Sequence, residues 1–261
     1  PDKIKSEWID IPRYFKIEDK SVQNQFDKIS PVIREFLEEY KIYQLSTQIL
    51  RGINPISREI PGIHGENLDL LINSCSNEER DELIKHAHFI SWLDDIVIDK
   101  EDRLKFEGHK LDMSTSILYF RDKFMQKKNN IFSAENANEG ILHVLFYIAL
   151  FISKRTPKLF AIDNIETALN PYLCRKLMEE LVKLAKKNDK QVLITTHNPA
   201  ILDGLNLHDD DQRLFTVYRN EKGHTKVKRI KIKPNAKVNG HRLKLSELWM
   251  RNHIGALPQH F

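Results

Sequence analysis

Cysteine is scarce in this chain, with only Cys75 and Cys174 among 261 residues. Their spacing suits no metal site, and two thiols cannot staple a small secreted fold, so both read as reduced and structurally incidental. Long apolar runs are missing too. The longest, Ile141–Ile152, is too short to cross a bilayer and carries His143. No basic stretch followed by an apolar core and a cleavage pattern is present, so the cytoplasm is the expected location and no membrane is a partner. Neither charge sign dominates, since 41 Lys and Arg oppose 37 Asp and Glu for a net +4. Repeats and low-complexity tracts are absent. What remains is a globular chain whose 41% hydrophobic content suffices for one large domain or two smaller ones.

What is present centres on residues 158–199. Lys158–Ile162 is a short apolar run ending in Asp163, and Gln191–Thr195 is a second run ending just before His197. Both read as buried parallel strands. Between them, Asn170 suits a helix N-cap and Pro171 the first helical position, while Leu173, Leu177, Leu181 and Leu184 repeat at helical spacing up to Lys186–Lys190. The pattern predicts a βαβ crossover. Such a unit brings both strand ends to one sheet edge, where open α/β sheets bind ligands, so Asp163, Glu166 and His197 are expected in one crevice.

These residues also carry a resemblance. Leu159–Glu166 looks like the Walker B segment of ABC-type ATPases (158–166), Ala168–Pro171 like the D-loop, and Thr196–Pro199 like the histidine switch loop. Upstream, Ser133–Leu142 resembles the degenerate signature motif of the RecF and SMC branch, with Asn138 in place of the usual serine. The segment most resembles bacterial RecF-like ATPases of anti-phage defence systems such as Septu, over residues 41–261. The resemblance implies an α/β fold: an ABC-type ATPase lobe with a partly parallel sheet flanked by helices, plus a helical arm or subdomain. It implies ATP and Mg²⁺ as ligands, a nucleotide-dependent homodimer, and a nuclease or effector partner.

No Gly-x-x-x-x-Gly-Lys-Ser/Thr occurs in the chain, so no loop is recognisable whose backbone amides would cradle the β- and γ-phosphates. In the family that loop lies nearer the N-terminus. The chain is therefore expected to be the C-terminal part of a longer ATPase, with residues 1–40 as the end of a helical arm or linker.

By resemblance, Asp163 holds Mg²⁺ and His197 meets the γ-phosphate or the attacking water. Relatives carry glutamate directly after the aspartate. Here that position is Asn164, whose amide can hold a water but cannot take its proton. Glu166 either substitutes for that base or sits over the D-loop. Asn138, Glu139 and Gly140 at a helix start are expected to offer backbone amides to the γ-phosphate of a second subunit, with Asn170 beside them. Slow hydrolysis, or nucleotide acting mainly as a dimer clamp, follows from Asn164. A non-hydrolysing scaffold that assembles a nuclease, and a repair ATPase of the RecF or SMC type, are the other readings.

Elsewhere, residues 41–50 read as a strand, and Gly62–Ile72 as the opening of a helical subdomain with Asn67 and Leu68 in the matching places. Helical spacing runs from Glu78 to Leu93, and Arg103–Phe124 reads as antiparallel strands. Glu139–Ser153, apolar nearly all round, reads as a buried helix. Pro199–Leu205 is expected as a short helix, and 213–218 with 225–233 as a hairpin whose inward register slips near Lys228. Ten basic residues between Arg219 and Lys244 face only Glu221. This segment is either a solvated hairpin whose lysines blunt a sheet edge or a face for nucleic-acid backbones. The pair His86 and His88 and the run Asp209–Asp211 read as surface residues, without metal.

Overall fold

The computed structural model describes residues 38–111, 113–231 and 244–254. Strand β1 (Lys41–Tyr43) leads into three short helices, α1 (Thr47–Leu50), α2 (Leu68–Asn73) and α3 (Asn77–His86). Strands β2 (Leu93–Ile98), β3 (Leu118–Asp122) and β4 (Ile131–Ser133) follow, then the helix α4 (Glu139–Ile152). Strand β5 (Leu159–Ile162), helix α5 (Pro171–Lys187) and strand β6 (Gln191–Ile194) form the crossover. Helix α6 (Pro199–Leu202), strands β7 (Leu214–Arg219) and β8 (Thr225–Ile230), and helix α7 (Leu245–Met250) come last. The fold is mixed α/β. A parallel sheet of order β1-β5-β6 is flanked by helices, beside an antiparallel sheet β2-β3-β4 and a hairpin β7-β8.

The parallel sheet is built around α4. Every residue from Gly140 to Ile152 is buried, as a helix apolar on all sides requires. Its aromatic side chains meet those of the strands edge to face, Tyr43 with Phe146 at 5.7 Å and Phe151 with Phe160 at 5.3 Å between ring centroids. The favoured edge-to-face geometry adds to plain area burial. Inside this apolar helix, His143 takes Thr47 Oγ1 as a partner at 3.1 Å through Nε2. Beyond α4, the buried Lys190 ammonium donates to the carbonyls of Ser153 (3.0 Å) and Thr156 (2.9 Å), which ties the turn before β5 to the start of β6. A second, smaller core of Leu202, Ile230, Leu245 and Ile254 lies under the hairpin.

Several sequence expectations change. Within 41–50 only β1 is strand. A helical turn buries Ile49 and Leu50 instead, and Leu50 joins Leu45 in the core. The helix expected to reach Leu93 stops at His86, and Leu93 opens β2, whose Ile96, Val97 and Ile98 are β-branched and favour the strand. Of 103–124 only Leu118–Asp122 is strand, because the Asp99 carboxylate accepts the Leu104 N–H at 2.7 Å and winds the preceding segment into turns. Its partners are β2 and β4. The hairpin shows no slip: Thr216 stands opposite Lys228 in an unbroken register from Leu214–Ile230 to Arg219–Thr225. Residues 1–37 of the expected arm and 232–243 of the basic segment lie outside the described residues. Among the described residues no helix is long and apolar enough to cross a membrane.

Candidate functional site

Strand β5 is apolar throughout, so the first polar side chain stands just past its end, at Asp163. Its N–H donates to Tyr43 O (2.8 Å), which holds it in line with β1. On the other side, the Thr195 hydroxyl at the end of β6 donates to Asp163 Oδ1 and accepts the Asn164 N–H at 2.9 Å. One hydroxyl thereby fixes both residues, using its donor and one lone pair. Asn164 has φ +50°, the left-handed region that asparagine tolerates better than most side chains. The chain turns there. Thr167 caps the turn, its N–H and hydroxyl both reaching Asn164 O, at 3.0 and 2.8 Å.

Glu166 follows on this turn. Its Oε1 accepts the His197 N–H at 2.8 Å, so the carboxylate of one strand's loop positions the loop after the next strand. Its Oε2 is buried and has no hydrogen-bond partner among the described residues. The His197 side chain is exposed. Next to it, Asn198 caps α6 by accepting the Ala200 N–H (2.9 Å) and donates from Nδ2 to Cys174 Sγ (3.6 Å). Burial first, and then the Glu166 charge, push the Cys174 thiol up to about 11. It stays protonated and is no nucleophile. The same two causes, in the same order, raise the buried Tyr147 hydroxyl above its ordinary value, and its oxygen is also unpartnered among the described residues.

The remaining expected site residues stand at two helix starts. Asn170 Oδ1 accepts the Leu173 N–H (2.9 Å) and Asn138 Oδ1 the Ile141 N–H (3.0 Å), so both side chains act as caps. Glu139 and Gly140 supply the first turn of α4, where backbone amides have no intrahelical partner. This turn faces the loop after β5: a Cβ at Gly140 would lie 3.4 Å from Ala168 O and 3.6 Å from Leu173 Cδ1. Those are ordinary contacts, so packing within the described residues does not demand glycine there.

The structure thus brings Asp163, Asn164, Glu166 and His197 to one sheet edge, and sets Gly140 of the α4 start against the Ala168 loop. Two residues at this edge escaped sequence reasoning. Thr195 is one. Gln44 is the other, an exposed residue directly after β1, its backbone fixed by Gln44 N–H to Ile63 O (2.9 Å). In both cases the available signal was a polar residue at the end of an apolar strand neighbouring Asp163.

Mg²⁺ keeps most of its waters and takes one or two protein carboxylates together with phosphate oxygens. The Asp163 carboxylate, with one oxygen tied to Thr195, fits that habit as a single protein ligand. Among the described residues no group of three metal-ligating side chains exists, so an all-protein cage is not what they offer. His86 is held by Glu180 at 2.6 Å, and Glu82 lies 3.8 Å away. Those acidic partners were not foreseen, and Glu180 engages the imidazole by hydrogen bonding between α3 and α5. Asp209 and Asp211 meet Lys186, and Asp210 meets Arg229 at 2.8 Å. In the basic segment, Arg219, Lys222, Lys226 and Lys228 are exposed.

Residues 2–203 match a family model described as "AAA domain, putative AbiEii toxin, Type IV TA system". Among solved structures, the SMC head domain from Thermotoga maritima is similar at 12% identity and a TM-score of 0.37, over 63% of this chain and 51% of that one. The chain therefore spans about half the length of that head domain. No curated protein matches it.

Proposed function

The chain belongs to this AAA-domain family, and from that premise we propose that the carboxyl edge of its parallel sheet is part of an ATP-hydrolysing site. The observation that carries the reading is the cross-strand tie, in which Thr195 fixes Asp163 and Glu166 fixes the His197 loop. Both ties bring acidic and imidazole groups to the strand ends, where open α/β sheets place their ligands. Asp163, oriented by Thr195, would hold Mg²⁺, with Gln44 at the flanking strand end. When bound, the metal neutralises the phosphate oxygens. Exposed His197 reaches the terminal phosphate or the water that attacks it. Glu166 positions the histidine loop with Oε1 and keeps Oε2 to accept a proton. The Asn164 amide orients water without taking its proton, which makes turnover slow.

The amino end of α4 gives the second half of the proposal. Its first-turn amides and positive dipole end suit the γ-phosphate of nucleotide held by a second copy, so ATP clamps a homodimer. The clamped dimer acts as sensor or motor in an anti-phage defence complex, with a nuclease or effector as its partner. A family description that names a toxin of a Type IV TA system supports defence over repair. Asn164 favours one second reading. At φ +50° it sits where asparagine is at ease and glutamate is not, as in a lobe that binds nucleotide without hydrolysing it and serves as a scaffold.

ATP turnover of the protein at full length separates these. Asn164→Asp, a carboxylate that the left-handed backbone tolerates, raises turnover if the asparagine limits hydrolysis, and Glu166→Gln lowers it if Glu166 takes the proton. No change in either variant removes both carboxylate roles. Sedimentation with and without ATP tests the clamp. A Cβ at Gly140 meets only ordinary contacts, so Gly140→Ala serves as the control for folding, and Gly140→Asp, compared with it by circular dichroism, sets a negative charge against the phosphate. Dimerisation on ATP should fail while nucleotide binding survives; a dimer that still forms would remove the role given to α4.

A further inference from the structure

The turn between β3 and β4 is built to present an aromatic ring. Asp122 Oδ1 accepts the Phe124 N–H (2.8 Å), the Asp122 N–H reaches Asn130 O (2.7 Å), and the Lys123 N–H reaches Trp92 O (3.0 Å). Inside this frame the Asn129 N–H closes on Gln126 O at 2.8 Å. Yet Phe124 is 72% exposed and Met125 46% exposed. The stretch 123–130 carries Lys123, Lys127 and Lys128 and no acidic residue. Among the described residues none of the three lysines makes an ion pair with a carboxylate. The Lys123 ammonium stands 5.4 Å from the Phe124 ring centroid, on one face of the ring.

We propose that this tip, Lys123–Lys128, binds single-stranded nucleic acid by stacking a base on Phe124 while the lysines meet the flanking phosphates. A cation over one ring face leaves the opposite face for a base, and every base has a π-face, so the contact is sequence-tolerant. Met125 adds apolar area beside the stacked base. A duplex would first have to be unstacked to accept the wedge, at a cost of a few kcal/mol. Two apolar side chains are too little for stable anchoring in a bilayer, which needs a larger buried area or a second signal. This inference does not rest on the ATPase reading, and it concerns a different surface from the basic segment after Arg219.

The test is fluorescence anisotropy of a labelled twenty-nucleotide oligothymidylate with the full-length protein, titrated at several salt concentrations. Phe124→Ala should weaken binding about five- to hundredfold, the range of one lost stacking contact, with the salt dependence kept. Phe124→Trp should restore it, and because position 124 is exposed both variants should keep the parent's circular dichroism. Lys127→Gln with Lys128→Gln should weaken binding and lower the slope of log K against log salt by about 1.4. Oligonucleotide binding that is absent in the parent, or unchanged in all three variants, overturns the proposal. So does a Phe124→Ala protein that loses binding to phosphatidylserine vesicles while keeping the oligonucleotide, since the tip would then be a membrane contact.

Discussion

The two faces of the parallel sheet differ sharply. On one, Phe160 and Ile162 of β5 and Tyr43 of β1 are fully buried against α4 and its neighbours. On the other, Ile42, Ala161 and Leu193 stand side by side in register, and Ile42 is 39% and Leu193 61% exposed. Parallel sheets ordinarily bury both faces, and their strands read as nearly continuous apolar runs for that reason. Here the strands have the apolar residues of a two-sided sheet, but among the described residues the second side is covered only at the central Ala161, with Ile42 and Leu193 on the outer strands left exposed. The lesson is that apolarity reports what a strand is suited to pack against, whereas its contribution to stability depends on the cover it has. The hairpin repeats the point, with Val217 opposite Val227 and both exposed.

Substitutions graded by face should sharpen this contrast. The largest loss is expected on the covered side, where Phe160→Ala removes a ring packed edge to face on Tyr43 and Phe151. Denaturant unfolding should show about 3–5 kcal/mol of destabilisation.

Acid should act on the same side. Burial holds the His143 imidazole neutral, with its pKa pulled down to about 4 from the ordinary imidazole value of about 6.5. The unfolded chain therefore takes up this proton first. Stability is complete above pH 6.5 and falls as the pH drops towards 4, by about 3 kcal/mol from this group. In His143→Gln that part of the pH dependence should vanish in urea titrations between pH 7 and 4.5.

At the site edge, Asn170→Ala should cost about 1 kcal/mol through the lost cap of α5, measured in the same way. The smallest effect belongs to the bare face: Leu193→Thr, which keeps a strand-forming residue, should stay within about 0.5 kcal/mol of the parent. A loss at Leu193 as large as that at Phe160 would break the comparison, since it would mean that the bare face is covered after all.

What was legible in the sequence follows the range of the interactions involved. The crossover could be read because its signals are local: two apolar runs, the Asn170 cap with Pro171, and leucines at helical spacing. The all-apolar α4 was legible for the same reason. β2 was not, because the run from Glu78 keeps helical spacing past His86, and the strand is decided by pairing with β3, whose partner residues lie twenty or more positions away. The turns after Asp99 depend on one carboxylate bonding to backbone five residues on. At the site, Asp163, Glu166 and His197 could be placed from strand ends alone. Thr195 and Gln44 could not, since their relevance comes from which strands are neighbours, a property of the sheet order. The likeness of Asn164 to a weakened catalytic position was visible, but its left-handed backbone, a reason for asparagine there, needed the coordinates.

The central claim is that the strand ends at Asp163 and His197 hold a metal–nucleotide complex. Electron paramagnetic resonance of Mn²⁺ with ATP, on the full-length protein and its Asp163→Asn variant, tests it most directly. The account predicts a protein-bound Mn²⁺–ATP signal in the parent that is lost or strongly altered in the variant, while His143→Gln leaves it intact. An identical bound signal in parent and Asp163→Asn would contradict the assignment of this edge as the nucleotide site.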